Sequence, residues 1–241
     1  MVGGKPFDLH NFPKLKGIFK CGIGRDNIPE KKALAKGIAC GFPSSSTASI
    51  IQEETASFAA QLVLKSQYVE VGDFTSWSKK TRQSLSTKSL LIVGNGNIGS
   101  RVAKKLSTFM NISTFDVIND PNDLREKVES ADCISLHLPL TKNTKGMFDQ
   151  EKLSWIKNGA SLVNTARASL VDEDSLFHEL NQGRIRAFFD VFWSEPYKGR
   201  LLTIPEEIFY KSPHIASNCN EFLEETAIDF RNFLTLVKNN N

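Results

Sequence analysis

The run Ser89-Leu-Leu-Ile-Val93 passes straight into Gly94-Asn-Gly96-Asn-Ile-Gly99, and Ser100 to Ser107 follows in helical pattern. A buried strand, a glycine-rich turn and a helix in that order leave few folds open. Gly94 permits the tight turn, Gly96 lets a pyrophosphate approach the backbone, and Gly99 lets the helix pack on the strand. Amides at the helix start, near Asn97 and Ile98, then face the anion. A second strand, Ile112 to Phe115, ends at Asp116, about twenty positions after Gly94, where an acid can bind the ribose hydroxyls. A carboxylate there repels a 2′-phosphate, and the next residues, Val117, Ile118 and Asn119, include no arginine. The segment therefore reads as a dinucleotide site that prefers NAD to NADP.

Short apolar runs alternate with helical stretches along the rest of the chain. Candidate strands are Gly17–Lys20, Ile38–Cys40, Ser89–Val93, Ile112–Phe115, Cys133–His137, Ser161–Val163 and Arg186–Phe189. Most are apolar throughout, as strands buried on both faces of a parallel sheet must be. Helices are expected from Pro29 to Lys36, from Thr55 to Lys65 behind a Ser49/Gln52 capping box, after Asp120-Pro121 to Glu129, from Asp172 to Gly183, and from about Glu221 to Lys238. Gly72 to Lys88 reads as a connector. This alternation predicts an α/β class with a doubly wound parallel sheet.

Composition narrows the function classes. Thirty Lys and Arg against 27 Asp and Glu leave a formal net charge of +3, with no basic excess for a nucleic-acid partner. No apolar run approaches the ~18 residues that span a bilayer, and MVGGKPFDLH lacks the apolar core of a signal peptide. Cys21, Cys40, Cys133 and Cys219 lie far apart without CxxC spacing. They read as reduced thiols of a cytoplasmic protein, with no metal site expected.

Three later segments place a polar group directly after an apolar run: Val163-Asn-Thr-Ala-Arg167, Asp190-Val-Phe-Trp-Ser-Glu195-Pro196 and Pro213-His214. In a parallel sheet such residues sit at the carboxyl edge, where ligands bind. Taken singly, each has an ordinary role as a surface ion-pair or loop residue. Together with LKGIFKCGIGRDNI, GNGNIGS, SLHLPLTKNT, LVNTARASLVDE, DVFWSEP and PHIAS, in that order from about residue 14 to 238, they resemble the D-isomer-specific 2-hydroxyacid dehydrogenases.

The resemblance implies a Rossmann NAD-binding domain, a smaller flavodoxin-like substrate domain, and hydride transfer between NAD(H) and a small 2-oxo acid or D-2-hydroxy acid. Arg167 would hold the substrate carboxylate and polarise the 2-oxo group, which suits a planar, permanently charged fork. His214 would give a proton to the ketone oxygen and remove it in reverse, work for a side chain whose ordinary pKa is ~6.5. Glu195 would hold the other imidazole nitrogen and fix the tautomer. Asp190 would meet the nicotinamide carboxamide. Pro139, Thr144, Thr165 and Ala166 would line the cofactor, and Gly3 and Gly4 would offer backbone amides to the substrate.

The family pattern leads one to expect two further βα units before the region that starts here, glycine where Ala168 stands, and a longer crossover than the one between Asp116 and Asp132. Residues 1–67 with 219–241 are thus expected to form a truncated substrate domain, and 68–218 the dinucleotide domain, with no regulatory domain after 241. The missing units should leave Gly17–Lys20, Ile38–Cys40, Leu34, Phe58 and Leu62 exposed, which argues for a homodimer. A catalytically weak or inactive NAD-binding interaction protein on the same fold is the competing expectation.

Overall fold

A computed structural model of the chain describes residues 1–3, 7–69, 71–117 and 123–239. In chain order the elements are β1 (Gly17–Phe19), α1 (Glu30–Ala35), β2 (Ala39–Gly41), α2 (Ser45–Ser66), β3 (Gly72–Asp73), β4 (Ser78–Lys79), β5 (Ser89–Val93), α3 (Gly99–Leu106), β6 (Asn111–Phe115), α4 (Leu124–Ser130), β7 (Cys133–Leu136), α5 (Gln150–Trp155), β8 (Ser161–Asn164), α6 (Glu173–Asn181), β9 (Arg186–Phe189), β10 (Phe209–Lys211) and α7 (Asn220–Asn239). The chain divides into two units, Met1–Glu54 with Ser217–Asn241, and Thr55–Ala216. The sequence boundary at residue 67 differs from this division. Ala56, Ala59, Leu62 and Val63 of α2 share a core with Leu90 and Ile92 of β5, so most of that helix counts with the larger unit.

The larger unit is built on a six-stranded parallel sheet in the order β10-β9-β8-β7-β5-β6. Its strands are apolar throughout because both faces are covered. Leu91 and Val93 point into one core with Ile134, Leu136 and Leu162, while Leu90 and Ile92 point into the other with Val102, Leu106 and Val163. Asp172 caps α6 by accepting from the Ser175 amide at 2.9 Å, and Asp149 caps α5 by accepting from the Lys152 amide at 3.0 Å. The chain runs from β5 outward to β6, then crosses back to β7 on the other side of β5. That reversal opens a crevice beyond the carboxyl ends of β5 and β7, the place where ligands bind in such sheets. Strand β10 and helix α5 add to the elements expected from sequence.

In the smaller unit β1 and β2 pair in parallel, with Ile18 opposite Cys40. α7 covers them: Phe19 meets the rings of Phe230 and Phe233 at 5.4 and 5.6 Å. Phe233 lies so close that a Cβ at Gly41 would overlap its ring, and one at Gly17 would sit 2.8 Å from it. The residues expected to form an exposed patch, in this unit and on α2 in the larger one, do not form it. Ile18, Phe19, Ile38 and Leu62 are buried and Phe58 is half-buried; of the residues named, only Leu34 is largely exposed.

Two local expectations are corrected, and the alanine that stands where the family has glycine is accounted for. α2 begins at Ser45, ten residues before the expected start at Thr55, so the Ser49/Gln52 pair lies inside the helix. Its cap is Ser44, whose hydroxyl accepts from the Thr47 amide at 3.4 Å while Asp229 Oδ2 takes the Ser44 amide at 2.8 Å. The stretch from Gly72 is an antiparallel hairpin of β3 and β4 rather than a plain connector. Ala168 carries no strain: among the described non-glycine residues only Trp77 and His214 have positive φ, and Ala168 opens a 3₁₀ turn, Ala168–Leu170. The expected helix start at Asp120-Pro121 lies outside the described residues.

Candidate active site

The glycine turn after β5 is built on two close approaches. Gly94 has φ +96°, and a Cβ there would meet the His137 carbonyl at 2.9 Å. At Gly99 a Cβ would overlap the Gly94 carbonyl oxygen. The turn is thus wedged between β7 and the first turn of α3. Ser100 and Val102 already donate to the carbonyls of Gly96 and Ile98, both at 3.0 Å. The amides just before them, at Asn97, Ile98 and Gly99, form the open helix start. At Gly96 no atom lies within 4 Å of the Cβ position, so the backbone there is bare. Asp116 follows β6 at the same edge, half-buried.

Beyond β7 the loop is tied by Thr144, whose hydroxyl donates to the Pro139 carbonyl (2.6 Å) and accepts from the Thr141 amide (2.8 Å). Thr144 therefore shapes the loop from within, while Pro139 is exposed on it. His137 keeps a structural place. Its Nε2 pairs with Ser135 Oγ at 2.8 Å, and burial pushes its pKa down to about 4, so it stays neutral.

β8 ends in Asn164, which is fully buried and braces the turn that follows. Its Nδ2 donates to the Arg167 carbonyl (2.9 Å), and its Oδ1 accepts from the Ala166 amide (3.0 Å). Arg167 leaves this turn half-buried, with Nη1 donating to the Ala166 carbonyl at 2.7 Å. Beside it, Thr165 Oγ1 is buried without a hydrogen-bond partner in the protein. A buried hydroxyl in that state calls for a partner from outside the chain. That hydroxyl and the bare backbone at Gly96 both fit a bound dinucleotide.

Glu195 and His214 meet across the loops after β9 and β10. His214 Nδ1 lies 2.9 and 3.0 Å from the two oxygens of Glu195, with the side chains 41% and 31% exposed. Burial acts to raise the Glu195 carboxyl pKa. The hydrogen bond and charge of His214, the Phe192 amide and the Arg167 guanidinium outweigh it and hold the carboxyl below its ordinary range. Aromatic rings brace this loop: Trp193 stacks on Phe189 at 6.0 Å and donates Nε1 to the Val171 carbonyl at 3.1 Å. Arg167, Glu195 and His214 thus share one edge of one sheet, the arrangement of a proton-transfer pair beside an anion-binding cation.

Asp190 is fully buried. Its buried carboxylate accepts three hydrogen bonds from residues 212–216, the loop that carries His214. Asn164 and Ser212 were not singled out in the sequence. The only signal for either was a small polar residue where an apolar run ends. Gly3 lies in the smaller unit, where its carbonyl accepts from Lys20 Nζ (2.6 Å) and Asn27 Nδ2 (2.8 Å). Gly4 lies outside the described residues.

Among the described residues no group of three or more His, Cys, Asp or Glu is placed to hold a metal ion, and no helix is long and apolar enough to cross a membrane.

Known proteins are similar to this chain in fold and sequence. The sequence pattern of the D-isomer specific 2-hydroxyacid dehydrogenase NAD binding domain matches residues 55–216, the whole of the larger unit. The chain is 32% identical over 234 residues to a hydroxypyruvate reductase of Thermotoga maritima, spanning 89% of this chain and 75% of that one. It is 33% identical over 245 residues to a glyoxylate reductase of Thermococcus litoralis, spanning 91% and 72%. The solved D-lactate dehydrogenase of Aquifex aeolicus, complexed with NAD and lactic acid, superposes with a TM-score of 0.81 at 26% identity, over 96% of this chain and 79% of that one. A TIG domain pattern also matches residues 7–75, where the chain forms a parallel strand pair, two helices and the start of a hairpin. The chain belongs to the D-isomer-specific 2-hydroxyacid dehydrogenase family, whose members are NAD-dependent oxidoreductases.

Proposed function

We propose that the protein interconverts a small 2-oxo acid and the corresponding D-2-hydroxy acid. The observation that carries this reading is the His214–Glu195 pair at 2.9 Å, set beside Arg167 at the ligand edge of a dinucleotide-binding sheet. Gly94, Gly96, Asn97, Ile98 and Gly99 would cradle the pyrophosphate, and Asp116 the ribose. Pro139, Thr165, Ala166 and Asp190 would line the rest of the cofactor site. The bound nicotinamide supplies or accepts the hydride.

Arg167 holds the substrate carboxylate with its charged fork and draws electron density from the 2-oxo group. His214 Nε2 delivers a proton to the ketone oxygen during reduction and takes it back during oxidation. Glu195, kept ionised, holds Nδ1–H and so leaves Nε2 as the working nitrogen. A protein that only bound NAD would have no use for this set.

The test is NADH oxidation with glyoxylate, hydroxypyruvate, pyruvate and phosphohydroxypyruvate in turn. Turnover of at least one is expected, with kcat/KM for NADH above that for NADPH, and Asp116→Ala should narrow that gap. No turnover with any acid, despite NADH binding, would favour the interaction-protein reading; equal use of NADPH would remove Asp116 from the ribose site.

On the same proposal the protein assembles as a two-fold homodimer. Phe74 and Trp77, 84% and 72% exposed on the β3–β4 hairpin, form the contact. Light scattering at micromolar concentration should give twice the chain mass; a fully active monomer overturns it.

A further inference from the structure

A buried polar chain links the backbone that carries Arg167 to the backbone that carries His214. At one end, Asn164 holds the Arg167 carbonyl and the Ala166 amide through its side chain. Its own carbonyl accepts from the Asp190 amide at 3.1 Å. Asp190, fully buried, then takes up the next loop: Oδ1 accepts from Ser212 Oγ (2.6 Å) and the Ile215 amide (2.9 Å), and Oδ2 accepts from the Ala216 amide (2.9 Å). Ser212 is 5% exposed, and its amide donates to the Phe189 carbonyl at 3.0 Å.

Between these fixed points stands a strained residue. His214 has φ +55°, a conformation a side-chain-bearing residue keeps only when its surroundings over-determine it. The surroundings here are the donors on Asp190: Ser212 two residues before His214, and Ile215 and Ala216 just after it. The two amides belong to the loop backbone and come with any sequence. The Ser212 hydroxyl is the side-chain donor in the set, and its bond to Asp190 is buried.

We propose that Ser212 is a positioning residue for His214: through its hydroxyl on Asp190 it holds the imidazole in the left-handed backbone conformation that brings Nδ1 onto Glu195. The proposal rests on the dehydrogenase reading for its effect on rate, but not for its effect on the ring. The charged groups that bear on that ring are Glu195, which it contacts, and Arg167, which acts on Glu195.

The experiment compares Ser212→Ala and Ser212→Thr in the full chain by two readouts. The first is kcat, KM and the pH profile of kcat/KM. The second is the NMR titration of the His214 ring, which needs no turnover. In Ser212→Ala, kcat should fall roughly 10–100-fold, the worth of a hydrogen bond to a charged group, with the Kd for NADH within about threefold of wild type. The ring titration and the pH profile should both move. Ser212→Thr, which keeps the hydroxyl, should restore all of them. Wild-type kcat and an unmoved titration in Ser212→Ala overturn the proposal. So does a Thr variant as impaired as the Ala variant, which would mean that packing alone matters. If the wild type turns over no acid, the dehydrogenase reading fails and the titration alone decides the positioning role. Should Ser212→Ala not fold, Ser212→Cys takes its place, keeping the shape with only a weak S–H donor; wild-type values in it overturn the proposal.

Discussion

Replacing His214 with alanine is expected to lower kcat by about 10²–10⁴-fold while the Kd for NADH stays within a few-fold of wild type. The split follows from the layout of the larger unit. The glycine turn and Asp116 stand after β5 and β6, whereas His214 stands after β10, at the far end of the sheet order. Removing the imidazole leaves the turn untouched. Glu195→Gln should reproduce part of the loss, because an amide oxygen accepts from Nδ1–H more weakly than a carboxylate. The sign of the pH dependence is also set. A carboxyl held below its ordinary range stays ionised until the pH falls through that lowered value, so its support of His214 persists through the ordinary glutamate range and is lost only in stronger acid. An ionisation seen near neutrality in kcat/KM therefore belongs to another group. Stopped-flow turnover and NADH fluorescence titration measure both halves, and a His214→Ala protein with near-wild-type kcat would sink the assigned proton transfer.

Gly99→Ala should be damaging in a different way. Its Cβ would overlap the carbonyl oxygen of Gly94, and Gly94, at φ +96° against the His137 carbonyl, has nowhere to retreat. Forcing an extra methyl into a packed site costs about 1–3 kcal/mol, and here it pushes the start of α3 away from β5. The expected result is a lower denaturation midpoint and a Kd for NADH raised on the order of tenfold or more. Gly96→Ala is the control, since its Cβ would meet nothing within 4 Å. That variant should unfold like wild type yet bind NADH less well, because the methyl occupies space the ligand needs. Unchanged binding in Gly96→Ala would remove this turn from the cofactor site.

What the sequence carried openly was local. Ser89 to Gly99 announces strand, turn and helix because each residue's role depends on neighbours a few positions away. Arg167, Glu195 and His214 could be singled out because each follows an apolar run and all keep the family order. What stayed hidden depends on distant partners. Ser44 to Thr47 looks like a polar loop, and it becomes the head of α2 because Asp229 accepts from the Ser44 amide and from the Thr47 hydroxyl, 182 residues away in the latter case. β10 is three residues long and forms only because β9 offers it an edge. Ser212 and Asn164 have no pattern of their own, and their part is visible only once Asp190 is seen between them.

The discontinuity of the smaller unit has a consequence for the order in which the protein can be made. Chains emerge from the ribosome amino end first, at a pace slow enough for whole domains to fold during synthesis. β1 and β2 are made before the larger unit, yet the rings that cover them, Phe230 and Phe233, follow all of that unit in sequence. The six-stranded sheet can close while Phe19 still waits for its partners. These two strands therefore wait for α7 while the larger unit is made, and for that interval their protection falls to whatever else binds nascent apolar chain.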